Sequence, residues 1–354
     1  MSAARADAIA VTGALGWLGS RLVEVLLDGL PDGPEELGGE PEREIRILVE
    51  PHQTAAAVER FGKRVAVVAG DLRDPATLPP LFAGARITTL VHSAGVIHPT
   101  RVRDFFEINA GGTRNLLEAA REVGLRRFIH VSSNSPLGCN PHPEHRFDES
   151  SPYHPYMGYG RSKMEAELLV REAGSRGDFE TVIVRCPWFY GPGQPPRQST
   201  FFTLIRTGRL PLVGDGGNRR SMAYLDNLCQ GLLLCERVGQ AAGRIYWIAD
   251  RVAYPMREII EVVERVIERD FGLPVAHRRI RLPGWTGDVA TWVDRTLQAV
   301  GVYHQKIHVL GEMNKNIACS IARAEEELGY RPRIALEEGM RRSIAWLLEQ
   351  GIRF

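Results

Sequence analysis

The sequence has few cysteines, few lysines and no long run of apolar residues. Its five cysteines are never spaced Cys-x-x-Cys, which argues against a structural zinc site or a disulfide framework and fits a reducing cytoplasm. The longest apolar runs, such as Leu232–Cys235, are far shorter than the ~20 residues of a membrane-spanning helix, and the first ten residues lack a signal-peptide pattern. With 44 basic and 43 acidic residues, the chain has no charge excess that would attract nucleic acid or an anionic membrane. We therefore expect a cytoplasmic protein that acts on a small molecule.

The first half of the chain alternates short β-branched segments with helical patterns. The segments predicted as strands are Ile9–Thr12, Ile45–Val49, Val65–Ala69, Ile87–His92, Phe128–Ser132 and Thr181–Arg185. The predicted helices include Leu18–Leu30, Phe105–Val123 and Ser162–Ala173. This alternation is typical of an α/β fold in which helices cover both faces of a doubly wound parallel sheet, with right-handed crossovers.

After residue 190 the alternation becomes irregular, which predicts a smaller C-terminal substrate lobe interleaved with the sheet domain. We assign residues 1–190, with about 224–254, to the sheet domain, and about 191–223 with 255–354 to the lobe. Helical patterns in the lobe lie at Pro255–Asp270 and Arg323–Gly329. Residues 31–44 are rich in Pro, Gly and acidic residues and predict an exposed loop.

Three glycines follow the first predicted strand and open the first predicted helix. Gly13, Gly16 and Gly19 allow a tight turn, a close approach of the backbone to a pyrophosphate and close helix–strand packing. An ordinary glycine-rich turn is the alternative, but the strand-before, helix-after context favours a dinucleotide site.

A carboxylate at the end of the second strand of such folds holds the adenosine ribose. Glu50 has this position, where it would accept a hydrogen bond from a ribose hydroxyl and repel a 2′-phosphate. This favours NAD over NADP, although Glu50 could also be a surface residue before Pro51. Asp71 follows the third strand, where its side chain could reach the adenine edge.

Tyr159 and Lys163 are four residues apart, which places them on one face of a helix. A nearby ammonium favours the phenolate and lowers the pKa of a tyrosine, which makes it a better base. Because the chain contains only four lysines, a chance pair at this spacing is improbable.

Ser133 ends the strand Phe128–Ser132 at the edge of the sheet where ligands bind, and could donate to a substrate oxygen beside Tyr159.

Together these residues resemble the extended short-chain dehydrogenase/reductase superfamily, and the resemblance covers essentially the whole chain. The matching segments are Thr12–Gly19, Gly70–Leu72, Val91–Gly95, Asn109–Ala120, Ser132–Ser133, Tyr159 with Lys163, Arg185–Pro187, Tyr190–Gly193, Tyr224–Asn227 and Glu327–Pro332. The resemblance implies a Rossmann domain, a nicotinamide cofactor and a Ser–Tyr–Lys catalytic set. Intact Ser133, Tyr159 and Lys163 count against the alternative of a non-catalytic dinucleotide sensor.

The resemblance also implies a role for each matching residue. Tyr159 is the acid/base, Lys163 binds the nicotinamide ribose and lowers the tyrosine pKa, and Ser133 orients the substrate oxygen. Asn109 stabilises the central helix and part of the cofactor site. The implied cofactor-binding residues are Gly13, Leu15, Gly16, Trp17, Leu18, Glu50, Asp71, Leu72, Ser93, Ala94, Gly95, Asn109, Tyr159, Lys163, Pro187 and Phe189. A homodimer is implied as well, through a four-helix bundle formed by Phe105–Val123 and Ser162–Ala173.

The residues after Ser133 help to separate the activities of the superfamily. Nucleotide-sugar dehydratases carry an Asp-Glu pair there and the related decarboxylases a Glu, because elimination needs a further acid and base. Here the positions hold Asn134 and Ser135, which cannot act as a general acid or base. Hydride chemistry at a secondary alcohol or ketone remains, as in an epimerase, a 4-ketoreductase or a dehydrogenase.

The substrate class has two interpretations. Arg220 lies where nucleotide-sugar epimerases and 4-ketoreductases bind a diphosphate, so the implied substrate-binding residues are Ser133, Asn134, Tyr159 and Arg220. A second arginine of those epimerases is missing, since His308–Ser320 contains only Lys315. The alternative is a sterol-like alcohol, for which Trp285, Trp292, Val293, Leu297 and Val300 could line an apolar pocket, though a core helix or a dimer contact is equally compatible.

His142, His145 and His154 lie in one loop, Asn140–Pro155. Nothing in the spacing fixes a ligand geometry among the prolines, so we expect no metal site and a solvated or substrate-covering loop.

Overall fold

The structure, a computed structural model, describes residues 7–34, 37–40 and 42–354, and within them seven parallel strands form a central sheet. These strands are β1 (Asp7–Thr12), β2 (Glu44–Val49), β3 (Ala66–Ala69), β4 (Arg86–His92), β5 (Arg127–Ser133), β6 (Glu180–Cys186) and β10 (Arg244–Trp247). Their order is β10-β6-β5-β4-β1-β2-β3. The fold is therefore the predicted doubly wound, Rossmann-type α/β fold.

The strand order reverses beside β1, which pairs with β2 on one side and β4 on the other. Ligands of such sheets bind in the crevice at the carboxyl ends of the strands, next to this reversal. Thr12, His92 and Ser133 end three of the strands at this edge. The sheet thus brings the predicted cofactor and catalytic segments to one place.

Helices cover both faces of the sheet. They are α1 (Trp17–Asp28), α2 (Thr54–Phe61), α3 (Val102–Asp104), α4 (Gly112–Glu122), α5 (Met157–Arg176), α7 (Leu225–Arg237) and α11 (Ala322–Glu327). A π-helical stretch, Phe105–Gly111, joins α3 to α4. One apolar cluster packs α1 and α7 on one face of the sheet, and a second packs α4 and α5 on the other.

The remaining elements form smaller structures beside the sheet. The strands β7 (Trp188–Tyr190), β9 (Arg219–Tyr224) and β11 (Ala253–Pro255) make one small sheet, and β8 (Pro211–Val213) pairs with β12 (Ile280–Leu282). The helices are α6 (Pro196–Arg206), α8 (Met256–Phe271), α9 (Trp285–Ala299), α10 (Gln305–Glu312) and α12 (Leu336–Glu349). A third apolar cluster packs α6, α8 and α12 against β7 and β9.

The predicted elements exist, but several bounds differ. The predicted helix Ser162–Ala173 begins five residues earlier, at Met157, and therefore contains Tyr159. The predicted helix Phe105–Val123 begins at Val102 and contains the π-helical stretch. Part of the predicted loop 31–44 lies outside the described residues, and β2 begins at Glu44.

Among the described residues, no helix is long and apolar enough to cross a membrane.

Candidate functional site

The glycine-rich turn between β1 and α1 has no room for side chains at two of its glycines. Gly13 has a φ of +75°, and a Cβ there would lie 2.6 Å from the backbone nitrogen of Ala94. A Cβ on Gly19 would lie 2.1 Å from the carbonyl oxygen of Gly13. Helix α1 begins after Gly16 with no side-chain cap and no acidic residue in its first turn. Its N–H groups are therefore available to an anion, which fits a dinucleotide pyrophosphate.

Two aromatic residues of the predicted cofactor set contact each other. The rings of Trp17 and Phe189 have centroids 5.0 Å apart, and the indole N–H of Trp17 donates to the carbonyl of Pro192 at 2.7 Å. The start of α1 is thereby joined to β7, the strand that follows Pro187. Leu18 packs into the core, whereas Leu15 is half-buried in the turn.

The acidic residues predicted near the adenosine differ in their surroundings. Glu50 follows β2, caps a short 3₁₀ turn and lies 3.4 Å from the Nδ1 atom of His52, with half of its side chain exposed. Asp71 accepts hydrogen bonds from the guanidinium of Arg73, the shortest 2.6 Å, and these hold its pKa below the ordinary value. Leu72 beside it is buried. Asp71 is thus already paired, while Glu50 keeps exposed surface for a ribose.

The segment after β4 is held by two polar side chains, Ser93 and the buried Asn109. The hydroxyl of Ser93 donates to the carbonyl of Thr12 at 2.7 Å, which fixes the start of Ser93–Gly95 against β1. Asn109, in the π-helical stretch, accepts from the N–H of Val96 at 2.8 Å and donates to the hydroxyl of Ser162 at 3.1 Å. Asn109 therefore links the segment after β4 to α5.

Ser133 and Tyr159 meet at the carboxyl end of β5. The Ser133 hydroxyl is buried and lies 3.3 Å from the hydroxyl of Ser135. Burial raises the pKa of the Tyr159 phenol to about 12, although a hydrogen bond with Ser133 opposes this rise. The structure thus brings these two predicted catalytic residues together.

Lys163 lies one helical turn after Tyr159 and is almost fully buried. Its ammonium donates to the carbonyl of Val131 at 2.8 Å and lies 3.3 Å from the Nε2 atom of His130. Burial lowers the pKa of Lys163 to about 8, while the carboxylate of Glu167 opposes this shift. The lysine therefore connects α5 to β5.

The expectation of a lowered tyrosine pKa is not met in this structure. The Tyr159 side chain is half-buried, and the loss of hydration of its phenolate outweighs the groups that favour the charged form. The Lys163 ammonium is directed to β5 by its bond to Val131. The same burial disfavours the charge on Lys163, so both members of the predicted pair shift toward their neutral forms.

The predicted substrate residues Asn134 and Arg220 lie on separate segments. Asn134 is half-buried in the turn after β5, where its carbonyl accepts from Leu137. Arg220 lies in β9 and donates from Nη2 to the carbonyl of Glu312. The Nε atom of Arg220 is buried and has no hydrogen-bond partner among the described residues, which leaves it a donor for a ligand.

Helices α9 and α10 lie near the start of α5 and hold a buried polar pair that the sequence did not assign to the site. Helices α9 and α10 carry Asp294 and His308, whose carboxylate and Nδ1 atom are 2.7 Å apart and buried. Burial alone would lower the pKa of His308, but its bond to Asp294 and the charge of Glu312 raise it. Asp294 and His308 follow Tyr159 by 135 and 149 positions, so no local pattern in the sequence indicated that their helices lie close to α5.

The outer side of α9 does not form the apolar pocket that was one interpretation of its sequence. Trp285, Trp292 and Val300 are exposed, at 64%, 68% and 73%. Val293 and Leu297 are half-buried. The exposed side chains cannot line an internal pocket, which removes this support for a sterol-like substrate.

A buried ion pair below the site was also missed. Glu167 of α5 and Arg185 of β6 lie 2.7 Å apart, with side chains that are 0% and 2% exposed. Glu167 also accepts from the hydroxyls of Ser132 at 2.5 Å and Tyr153 at 2.8 Å. These bonds fix α5, and with it Tyr159, against the end of β5.

The histidine-rich loop provides no metal centre among the described residues, where no group of three or more His, Cys, Asp or Glu could hold a metal ion. His145 lies 2.9 Å from the side-chain nitrogen of Asn140, and its ring contacts that of His142. The loop is joined to residues near the C-terminus, because the Asn140 side chain also donates to Ala318.

Comparison with known proteins agrees with this geometry. The sequence profile of the NAD dependent epimerase/dehydratase family matches residues 9–249. The chain is 49% identical over 350 residues to the uncharacterized protein y4nL of Sinorhizobium fredii, covering 99% of this chain and 97% of that protein. It is 32% identical over 351 residues to a dTDP-glucose 4,6-dehydratase of Streptomyces antibioticus, covering 95% and 91%. A dTDP-glucose 4,6-dehydratase of Streptomyces venezuelae, solved with NAD and TYD bound, superposes with a TM-score of 0.72 at 27% identity, covering 96% and 97%.

The chain therefore belongs to the NAD dependent epimerase/dehydratase family. It is an NAD-dependent enzyme of the extended short-chain dehydrogenase/reductase type, as the resemblance implied. The uncapped start of α1 and the glycines without room for a Cβ fit the pyrophosphate of this cofactor.

Proposed function

We propose that the enzyme transfers hydride at a secondary alcohol or ketone carbon of a nucleotide-linked sugar, as a 4-epimerase or a 4-ketoreductase. The observation that carries the proposal is that Ser133 and Tyr159 meet at the carboxyl end of β5, while Lys163, one helical turn after Tyr159, is bonded to Val131 of the same strand. The reaction removes a hydride and a proton from a carbinol, or adds both to a ketone. NAD, when bound, accepts or returns the hydride.

Tyr159 moves the proton. In the oxidising direction the phenolate oxygen takes the proton of the substrate hydroxyl while hydride leaves the same carbon, and a ketone forms. In the reducing direction the phenol returns the proton to the ketone oxygen. Because burial raises the pKa of this phenol to about 12, its ionisation depends on donors and positive charge close to the oxygen.

Ser133 and Lys163 support this proton transfer in different ways. The Ser133 hydroxyl, beside the phenol, would donate to the substrate oxygen and hold it in line with Tyr159. The Lys163 ammonium would hold the nicotinamide ribose and favour the phenolate. Residues Gly13, Leu15–Leu18, Glu50, Asp71–Leu72, Ser93–Gly95, Asn109, Pro187 and Phe189 would complete the NAD site.

Arg220 supports a nucleotide diphosphate as the anchor of the substrate. Its buried Nε atom lacks a partner among the described residues, and a guanidinium offers the planar donor fork that matches phosphate oxygens. The nearby relatives that act on dTDP-glucose by their names support the same substrate class.

Asn134 and Ser135 support epimerase or ketoreductase chemistry over dehydration. A dehydratase must remove a second proton and protonate a leaving hydroxyl, which requires an additional acid and base. Ser135 is a neutral hydroxyl directed at Ser133, and Asn134 carries an amide.

We propose in addition that the enzyme is a cytoplasmic homodimer, formed through α5 and the helix that ends with α4.

Product analysis tests this function. The protein with NAD is mixed with UDP-glucose, UDP-glucuronate and dTDP-glucose, and with NADH it is mixed with a dTDP-4-keto sugar; products are followed by ¹H NMR. A 4-epimer or a 4-hydroxyl product supports the proposal. A 6-deoxy-4-keto product from dTDP-glucose would instead establish a dehydratase.

A further inference from the structure

The backbone immediately before Tyr159 is held by a side chain from α9. The N–H of Gly158 donates to the Oε1 atom of Gln298 at 2.9 Å, across 140 residues of sequence. A Cβ on Gly158 would lie 3.0 Å from the same oxygen and 3.3 Å from a ring carbon of Phe105. Residue 158 is therefore fixed by a close fit between α9 and the π-helical stretch.

The start of α5 requires such support because its backbone is strained. Met157, the first residue of α5, has a φ of +53°, a left-handed conformation that non-glycine residues rarely adopt. Conformations of this kind persist only where surrounding contacts hold them. Gln298 supplies one such contact one residue later, directly before Tyr159.

The orientation of Gln298 is itself determined by buried charges. Its amide nitrogen donates to both carboxylate oxygens of Asp294 at 3.0 Å, so its oxygen must face Gly158. Asp294 is completely buried and also accepts from His308 at 2.7 Å. The chain of bonds from His308 through Asp294 and Gln298 to Gly158 leaves the glutamine little freedom.

The same helical pair is attached on the other side of Tyr159. The hydroxyl of Tyr303, between α9 and α10, lies 2.6 Å from the Nδ1 atom of His98 in the segment after β4. The ring of Phe105 contacts the rings of both Tyr159 and Tyr303, with centroids 5.8 and 5.3 Å away. The catalytic tyrosine thus packs against a scaffold that α9 and α10 complete.

We propose that Gln298 is a positioning residue for Tyr159: by accepting from the Gly158 N–H, it fixes the start of α5 so that the phenol meets Ser133. This inference rests on the proposed role of Tyr159 as the acid/base. Replacement of Gln298 by leucine leaves a buried N–H without an acceptor and releases the strained turn. Displacement of the phenol by a fraction of an ångström would then lower kcat by about 10- to 100-fold without a matching change in KM.

The first test needs no substrate. Protein labelled with [¹³Cζ]tyrosine is saturated with NAD, and Tyr159→Phe identifies the resonance of Tyr159. We expect Gln298→Leu to shift this resonance and to raise the amide exchange rate at Gly158 by at least ~10-fold. Thr296→Ala, on an exposed part of the same helix, is the matched control and should change neither signal. An unshifted Tyr159 resonance in Gln298→Leu would overturn the proposal.

A second variant, Gln298→Glu, separates the effect of the Gly158 hydrogen bond from the effect of side-chain packing. It also provides a test if the leucine variant does not fold. In Gln298→Glu the carboxyl must keep its proton to donate to Asp294, and the adjacent carboxylate raises its pKa. Asp294 is the ionisable group bonded to this position; His308 is bonded to Asp294, and Glu312 lies 3.8 Å from the Nε2 atom of His308. At pH 5 we expect the Tyr159 resonance of the glutamate variant to have the wild-type chemical shift. As the pH rises and the introduced carboxyl loses its proton, the resonance of the variant should move away from the wild-type position, whereas the wild-type resonance should not show this change.

The outcomes separate this inference from the proposed function. A pH-independent resonance in Gln298→Glu, or a shift that Thr296→Ala reproduces, would show a packing effect only and would overturn the positioning role. Full turnover by Tyr159→Phe would instead contradict the proposed function. The NMR measurements on the Gln298 variants need no substrate, so their outcome does not depend on whether Tyr159→Phe turns over.

Discussion

The ammonium of Lys163 donates a hydrogen bond of 2.8 Å to the carbonyl oxygen of Val131, two residues before Ser133. This bond joins α5 to β5 close to the point where the hydroxyls of Ser133 and Tyr159 meet. The same helix carries Tyr159 one turn before Lys163.

Loss of the Tyr159 hydroxyl should remove turnover and leave the cofactor bound. We expect Tyr159→Phe to lower kcat by about 10²- to 10⁴-fold, because a positioned acid/base contributes about this much. Fluorescence titration should give an NAD affinity close to that of the wild type. Ser175→Ala, on an exposed part of α5, is the control and should retain full activity.

Lys163→Met should weaken NAD binding and raise the pKa of the acid/base in the pH–rate profile. The sign follows from charge: below the Lys163 pKa of about 8 the ammonium is positive and favours the phenolate, and methionine removes that charge at every pH. Lys63→Met, at an exposed lysine after α2, should change neither quantity. A profile with an unchanged midpoint would mean that Lys163 does not tune Tyr159.

The cofactor preference depends on Glu50. We predict that NAD and NADH bind more tightly than their 2′-phosphorylated forms, since a carboxylate repels the extra phosphate. Glu50→Ala should reduce this preference by about 10-fold, because a charge-assisted hydrogen bond to the ribose is lost. Glu59→Ala on α2 provides an exposed carboxylate as control. Tighter binding of NADP by the wild type would contradict this role of Glu50.

Arg220→Ala should weaken the binding of the nucleotide part of the substrate. We expect a loss of ~2–4 kcal/mol, or about 30- to 1000-fold, in the affinity for UDP or dTDP measured by calorimetry with NAD present. Arg220→Lys should recover only part, because a point charge cannot reproduce the bidentate fork. Arg219→Ala is the matched control: Arg219 is the preceding residue of β9, points to the opposite face and donates to Ala253. Equal affinities in all variants would reject the diphosphate role.

The proposed dimer is tested by light scattering. The exposed Leu168, at 44%, lies on the outer side of α5, where a second copy would cover it. We expect a dimer at micromolar concentration and a monomer for Leu168→Arg, since a charge cannot be buried there without a partner. Val58→Arg, at an exposed valine of α2, should leave the dimer intact. A wild-type monomer would refute the assembly.

The sequence predicted those parts of the site that depend on short segments. The glycines at 13, 16 and 19 and the Tyr159–Lys163 spacing are local patterns whose geometry follows from one turn or one helix. The doubly wound sheet follows from alternation of segments, and seven parallel strands confirm it. Neighbouring contacts of this kind can be predicted because backbone geometry alone fixes them.

The parts that were missed depend on contacts between distant segments. Gln298 meets Gly158 across 140 residues, and Glu167 pairs with Arg185 on a different element. The pKa of Tyr159 was expected to fall, but it rises to about 12 because burial of the phenol was not visible in the sequence. Burial and long-range pairing emerge only when the chain is folded.

The most direct test of the account is ¹H NMR of a nucleotide sugar incubated with NAD and either the wild type or Tyr159→Phe. We predict that the wild type inverts C4 of a UDP- or dTDP-sugar, or reduces a dTDP-4-keto sugar with NADH, and that the phenylalanine variant does neither at a comparable rate. Equal turnover by the two proteins, a dehydrated product or reaction with none of these nucleotide sugars would contradict it.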